Sequence, residues 1–323
     1  MKTIFFKKIC ITFLLVVFAG CGKEDNSDTS SSGGDGNNNP SKKEHLIKEI
    51  QKYYLESSLK QNYFFEYEGT KLKKITLELK DSPNPDSNPM NEDRIVETIE
   101  FFYEGDLITK TIRNLFGQWD REGNYHKDVI QFRYSEDFTY NQANQLIEVI
   151  QKTETNRDGI FVEDLSSGDK YVFIYNPDKS VTLYRYHYSD ITGYNRDGYE
   201  YKYFYDENSN LIKKQYTFTH NYLPGSGYTE YKYDDKKNPY NNITGFSNLK
   251  MISYNDIFEQ GFDFGSLNNC IIKYVHDEGY VGNPREWYSN SFDVKYYYEY
   301  DKEDYPIKMS IDASTEEYKI TYY

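Results

Sequence analysis

From residue 42 onward the chain alternates apolar and polar positions with period two, the pattern of strands buried on one face. Tyr199, Tyr201, Tyr203 and Tyr205 alternate with Glu200, Lys202 and Phe204. Tyr184, Tyr186 and Tyr188 alternate with Arg185 and His187, and Tyr63, Phe65 and Tyr67 with Phe64 and Glu66. Tyr296, Tyr298 and Tyr300 alternate with Tyr297 and Glu299. Each strand is therefore expected to carry one aromatic face and one mixed, often charged face. Leu46 to Tyr54 fits a helix or a strand and is read as a strand.

A short phrase recurs between strands: a terminal Tyr, a polar turn, then an aliphatic residue. The copies are Tyr67-Glu68-Gly69 with Leu72, Tyr103-Glu104-Gly105 with Leu107, and Tyr140-Asn141 with Leu146. Tyr175-Asn176-Pro177-Asp178 with Val181 and Tyr205-Asp206-Glu207-Asn208 with Leu211 follow, then Tyr233-Asp234-Asp235 and Tyr300-Asp301 with Ile307. The first six tyrosines are separated by 36, 37, 35, 30 and 28 residues. A second turn family lies between them: Asp120-Arg121-Glu122-Gly123, Asn156-Arg157-Asp158-Gly159 and Asn195-Arg196-Asp197-Gly198. Asp81 to Asp93 and Pro224-Gly225-Ser226-Gly227 take equivalent places. Gly, Asn and Asp tolerate the positive φ that hairpin turns need.

Two turn families in alternation predict an antiparallel up-and-down meander, with one family at each end of the sheet. The predicted fold is all-β, a strongly curled or closed barrel-like sheet over 42–323. The repeat breaks between Tyr233 and Tyr300, 67 residues apart. A repeat-breaking insertion is therefore expected at about 244–295, and long interruptions often carry function.

The first twenty residues read as a signal peptide, with Lys2, Lys7 and Lys8 before an apolar run from Ile9 to Phe18 that is too short to span a bilayer. Val17-Phe18-Ala19-Gly20-Cys21 resembles the lipobox of bacterial lipoproteins. That resemblance implies lipidation of Cys21, and several acyl chains on one residue hold a protein stably on a membrane. Gly22-Lys23-Glu24-Asp25 resembles the export signal of surface-displayed lipoproteins in the Bacteroidota. Asn26 to Ser41 is a flexible Ser, Gly, Asn and Asp tether with a reach of roughly 20–25 Å. The division is thus 1–20 leader, 21–41 anchor and tether, and 42–323 one β domain. The expected address is the outer membrane, facing the cell surface or, alternatively, the periplasm.

Tyr205-Asp206-Glu207-Asn208-Ser209-Asn210-Leu211 resembles the YD repeat of Rhs and teneurin shells, so the meander is one of YD-like hairpins. A wider resemblance runs through Tyr231 to Tyr240, Ile243-Thr244-Gly245-Phe246, Ser266-Leu267-Asn268-Asn269 and Tyr298 to Lys308. With the lipoprotein start, the chain resembles uncharacterised Bacteroidota lipoproteins with a porin-like domain of unknown function. The resemblance implies a curled sheet or barrel and names no catalytic residue. A lipid-embedded barrel is not expected, because lipid-facing strands must be apolar and an outward Lys or Arg costs ~2–4 kcal/mol at the midplane.

Composition narrows the chemistry. Fifty-two acids against 38 bases, a net −14, argue against a nucleic-acid partner. Cys270 is left without an intrachain partner once Cys10 and Cys21 are accounted for, and it is read as a buried apolar residue. The histidines His45, His126, His187, His220 and His276 are scattered, and carboxylate pairs such as Asp234 with Asp235 or Glu163 with Asp164 are expected by chance among so many acids. No metal site, cofactor or catalytic set is expected, and the chain is not read as an enzyme. The enriched resource is aromatic: 36 Tyr, 20 Phe and 2 Trp. Aromatic rings stack on the apolar faces of sugars, and they also simply stabilise strands. Trp119, Trp287 and Tyr288 lie in turn-rich segments and are the candidate ligand-binding residues. The expected function is a non-enzymatic lipid-anchored domain that binds a ligand such as a glycan, or an envelope protein. The alternatives are an envelope assembly protein or a carbohydrate-active enzyme.

Overall fold

The computed structural model describes residues 45–323 apart from 55–59, 81–92, 120–123, 165–167, 190–191, 221–222, 250–265, 282–285 and 313. Seventeen strands follow in order. They are β1 (Ile47–Tyr54), β2 (Lys60–Glu68), β3 (Lys71–Lys80), β4 (Arg94–Glu104), β5 (Leu107–Trp119) and β6 (Tyr125–Tyr140). Next are β7 (Leu146–Arg157), β8 (Ile160–Glu163), β9 (Asp169–Tyr175), β10 (Val181–Ser189), β11 (Gly193–Tyr205) and β12 (Leu211–His220). The last are β13 (Leu223–Tyr233), β14 (Cys270–Val281), β15 (Glu286–Tyr300), β16 (Pro306–Ile311) and β17 (Glu316–Tyr322).

Every strand pairs antiparallel with its neighbour, and β1 pairs with both β2 and β17. The sheet therefore closes. β8 and β9 lie end to end against β7, so seventeen strands build sixteen staves. Closure removes the exposed sheet edges that an open meander of this size would present.

The recurring phrase has a geometric cause. In the described pairings a bulge falls at the Tyr itself for six of the seven Tyr turns. One extra residue on the following strand is skipped, so Tyr67 stands opposite Leu72, Tyr140 opposite Leu146 and Tyr205 opposite Leu211. Both members of each pair then point inward. Bulges at a barrel rim tighten the local twist. Tyr103 pairs with Ile108 and Tyr300 with Pro306, rather than with the Leu107 and Ile307 expected from spacing, because the bulge turns those two outward or to the turn.

The Asp or Asn after Tyr closes its own turn. Asn141 Oδ1 accepts from the N–H of Ala143 and Gln145, and Asp301 Oδ1 from those of Glu303 and Tyr305. A left-handed residue completes each loop: Asn144, Lys179, Ser209 and Asp304, or Gly69 and Gly105 in the two-residue versions.

The tyrosines also stitch one hairpin to the next at this end. The hydroxyls of Tyr140, Tyr175, Tyr233, Tyr298 and Tyr322 donate to the carbonyls of Ile108, Leu146, Leu211, Cys270 and Pro306 at 2.7–3.1 Å. Each bond bridges two strands whose connecting turn lies at the opposite end. Each is worth about 0.5–1.5 kcal/mol net.

The aromatic face is not always the inner one. In β2, β11 and β15 it is, with Tyr63, Tyr203 and Tyr296 buried. In β10 the order reverses: Val181 and Leu183 are buried inside, and Tyr184 and Tyr186 face out. There the Arg196 guanidinium lies 3.9 Å from the Tyr184 ring and Lys170 lies 5.7 Å from Tyr186, so the rings cover charged side chains instead of filling the core.

The outer surface carries cross-strand ion pairs. Lys110 meets Asp137 at 3.5 Å, Lys170 meets Glu148 at 3.3 Å, Lys213 meets Glu230 at 3.0 Å and Lys308 meets Glu317 at 2.9 Å. Charges of this kind face water and not hydrocarbon, where an outward Lys or Arg costs ~2–4 kcal/mol at the midplane.

Candidate functional site: the lumen of the barrel

A barrel of about sixteen strands is too wide for its own wall side chains to fill. What closes this one is the interruption of the repeat. Asp234 N–H donates to the Asn269 carbonyl at 3.1 Å, and Asn269 N–H donates to Asp234 Oδ1 at 3.1 Å. The same pair of bonds joins Asp206 and Asn210 across an ordinary Tyr turn, at 3.0 and 2.8 Å. Asp234 and Asn269 thus stand as the two ends of a Tyr turn with a longer segment between them. β14 and β15 then carry the meander onward, so the interruption ends at Asn269. The insertion expected at about 244–295 lies earlier and is shorter, because its second half is barrel wall.

The described part of the insertion plugs the Tyr-turn end. Tyr240, Ile243, Phe246 and Leu249 are all buried and join the core cluster of the strands. Phe246 packs on Phe101 with ring centroids 5.8 Å apart. Gly245 takes φ +86° and sits against the Asp106 carbonyl and Ile108, where a Cβ would crowd the backbone. Thr244 N–H donates to the Thr70 carbonyl at 3.0 Å, and Asn242 Nδ2 donates to the His45 carbonyl at 3.2 Å. The plug is therefore held by two hairpin turns and the start of β1.

Above the plug the interior becomes charged. Glu97 on β4 takes a two-pronged contact from Arg113 on β5, at 2.7 and 2.8 Å. Glu136 on β6 accepts from Thr111 at 2.9 Å and from Gln151 at 2.7 Å. Asp169 on β9 accepts from Arg185 at 2.7 Å and from His187 Nδ1 at 2.8 Å. Lys52 on β1 meets Glu316 on β17 at 2.8 Å. Glu97, Glu136 and Asp169 are buried, Glu316 is half-buried, and each has a cationic or hydrogen-bonding partner, which offsets the cost of desolvation. Burial pushes the phenols of Tyr67, Tyr203 and Tyr322 far above their ordinary range, so they are neutral donors at neutral pH.

Nearer the other end, inward positions stay solvent-accessible. Phe292 shares the inner face of β15 with buried Tyr296 yet is 47% exposed. Among the described residues the interior is thus packed at the Tyr-turn end and accessible at Phe292 and Asn290 toward the other.

The residues singled out from sequence fall as follows. Trp119 closes β5 opposite Tyr125. Trp287 is a strand residue of β15, opposite Tyr280, and is 52% exposed on the outer face. Tyr288 is the next residue and therefore faces the lumen, opposite Gly279. β5 and β15 are seven staves apart, so Trp119 and Trp287 do not share one site. Cys21 and the whole leader and tether lie outside the described residues. Cys270 is a buried thiol at the sealed end, with its Sγ 3.5 Å from the Ile272 carbonyl. Among the described residues no group of three His, Cys, Asp or Glu is placed to hold a metal ion. The charged interior was missed from sequence because its members are single residues on separate strands. Arg113, Arg185 and Glu97 interrupting the inner, otherwise apolar register are the only signal.

No family model and no curated protein matches the chain. It is similar to a solved porin-like protein from Bacteroides vulgatus, at 14% identity and a TM-score of 0.45, over 86% of this chain and 98% of that one. A porin-like protein from Bacteroides uniformis is similar at 9% identity and a TM-score of 0.33, over 85% and 96%. A protein of unknown function from Bacteroides fragilis is similar at 11% identity and a TM-score of 0.26, over 38% and 81%.

Proposed function

We propose that the protein is a lipid-anchored, non-enzymatic barrel of the bacterial envelope that holds a ligand in its lumen. The observation that carries this reading is the asymmetry of the interior: a buried plug at one end, accessible inward side chains toward the other. A plugged barrel with a charged outer wall is built as a receptacle and not as a pore. Val17 to Cys21 supplies the anchor, Asn26 to Ser41 the tether, and Gly22 to Asp25 the export signal that favours the cell surface. The interior mixes rings and charges, which suits a polyhydroxylated ligand such as a glycan.

A thermal-shift screen of residues 42–323 against a glycan panel tests the reading. A ligand at a hundred times its Kd stabilises the fold by about 2.7 kcal/mol. A reproducible shift with one sugar class is the expected outcome. A flat panel, together with capture of one stoichiometric partner on crosslinking intact cells, would instead make the protein an envelope assembly component.

A further inference from the structure

Charges and rings are not mixed evenly inside the barrel. The wall built by β4 to β10 carries the Glu97–Arg113, Glu136–Gln151 and Asp169–Arg185 contacts. The wall built by β11 to β15 is dominated by rings, and its inward Lys214 and Lys273 lie over Tyr201, Tyr231 and Tyr296. Two inward rows cross that wall. One runs Tyr199, Phe218, Gly225, Gly279, Tyr288. The row beneath it runs Tyr201, Tyr216, Gly227, Asp277, Asn290.

The three glycines have a shared purpose. A Cβ on Gly225 would overlap the Phe218 ring, and one on Gly227 would overlap Tyr216. A Cβ on Gly279 would stand 3.3 Å from Tyr288 and 3.4 Å from Phe218. None of the three has a positive φ, so no turn geometry requires them. They are bare so that rings from β12 and β15 can lie flat on the β13–β14 backbone. Tyr199 and Phe218 are near-parallel, with centroids 5.3 Å apart and planes 23° apart. Tyr216 and Phe218 differ by 24° at 6.3 Å. These rings are only partly buried, unlike the aromatics around the plug. The Tyr216 hydroxyl donates to Asp277, whose carboxylate lies in the same row as the exposed Asn290 amide.

We infer that this wall, Tyr199, Phe218 and Tyr288 as the flat surface with Asp277 and Asn290 at its edge, is a subsite for a pyranose ring of a saccharide. It rests on the reading of the lumen as a ligand cup. A pyranose offers an apolar C–H face to stack on flat rings and equatorial hydroxyls to donate to a carboxylate or exchange bonds with an amide. A purely aromatic ligand would use the rings and leave Asp277 and Asn290 idle.

The test is calorimetric titration of residues 41–323, which contain the whole closed barrel, with maltohexaose, cellohexaose, mannohexaose and xylohexaose. One of these binds the native chain. Tyr199→Ala with Phe218→Ala weakens that binding about tenfold or more, the range of a lost aromatic anchor. Phe218→Tyr keeps it. Gly225→Ala weakens it while leaving every ring in the sequence, because the Phe218 ring can no longer lie on the wall. Asp277→Asn weakens it without moving the rings. Melting curves of each variant separate lost binding from lost folding. Saccharide binding that survives Tyr199→Ala with Phe218→Ala overturns the subsite and leaves the cup reading standing. Binding of flat aromatic compounds but of no saccharide overturns the ligand class. No saccharide binding, with lumen positions closed to a thiol probe, overturns both.

Discussion

The two ends of this barrel are made by different means. At the Tyr-turn end the same local device is used seven times: a terminal Tyr, a side-chain-closed or Gly turn, and an inward partner, aliphatic in five copies and Cys270 or Pro306 in the other two. The hydroxyls then bind the hairpins together, and the plug fills the remaining space. At the other end turns differ in length and composition, inward rings stay accessible, and no comparable stitching recurs among the described residues. A device repeated in every hairpin serves stability, since any one copy shares its load with the others. Features that occur once, such as the glycine floor under Phe218, are where a specific ligand contact can be placed without cost to the rest.

Damage to the sealed end should be the most severe. Phe246→Ala removes a fully buried ring from the plug and is expected to cost ~3–5 kcal/mol in denaturant unfolding. A variant on the accessible wall, Tyr288→Ala, is expected to cost less than half of that. Equal losses would mean that the two ends are packed alike.

The charged interior sharpens the boundary between them. Arg113→Met takes the two-pronged guanidinium contact from buried Glu97, and is expected to cost about 3 kcal/mol. Adding Glu97→Leu to it should recover most of the loss, as measured by chemical denaturation, because the penalty lies in the buried carboxylate that lost that contact.

Alkaline pH acts through the buried phenols. Burial pushes the Tyr175 phenol up to about 12 and those of Tyr67, Tyr203 and Tyr322 higher still. An unfolded Tyr ionises near pH 10, so above that pH the unfolded state binds fewer protons than the folded one. Stability is complete below about pH 10 and falls as pH rises toward 12 and beyond. Melting temperature followed from pH 8 to 12 should show this loss, and phenolate absorbance should lag behind that of the denatured chain.

Single stitches matter little each. Tyr140→Phe removes the bond to the Ile108 carbonyl and is expected to cost about 0.5–1.5 kcal/mol. Trp287→Ala, at an exposed outer position, is expected to stay within about 0.5 kcal/mol of the native chain.

What could be read from the sequence follows the same division. Period two and the Tyr phrase revealed the strands, the turn families and the meander, because each copy acts within a dozen residues. β1, expected over Leu46 to Tyr54 and found over Ile47–Tyr54, and the burial of Cys270 were legible from local sequence as well. Closure was expected only in outline, since the β1–β17 pairing joins residues at opposite ends of the domain, such as Ile50 and Ile320. The plug was invisible, because Tyr240, Ile243, Phe246 and Leu249 follow neither strand nor helix period and are ordered by the barrel around them. The inner face of β10 was also hidden: Leu183 and Tyr184 are equally plausible core residues until Arg196 and Lys170 claim the tyrosines. The lumen wall was half legible. Tyr288 was singled out, but Phe218 and the glycines acquire meaning only when β12, β13, β14 and β15 are laid side by side.

Thiol accessibility tests the asymmetry most directly. Asn290→Cys in residues 41–323 places a thiol on the accessible inner wall, while native Cys270 lies buried at the sealed end. With a maleimide reagent under native conditions, the thiol of Asn290→Cys is expected to react at close to the rate of a free thiol. Cys270 is expected to react only after unfolding. Rapid labelling of Cys270, or protection at position 290, would contradict a cup sealed at the Tyr-turn end and open toward the other.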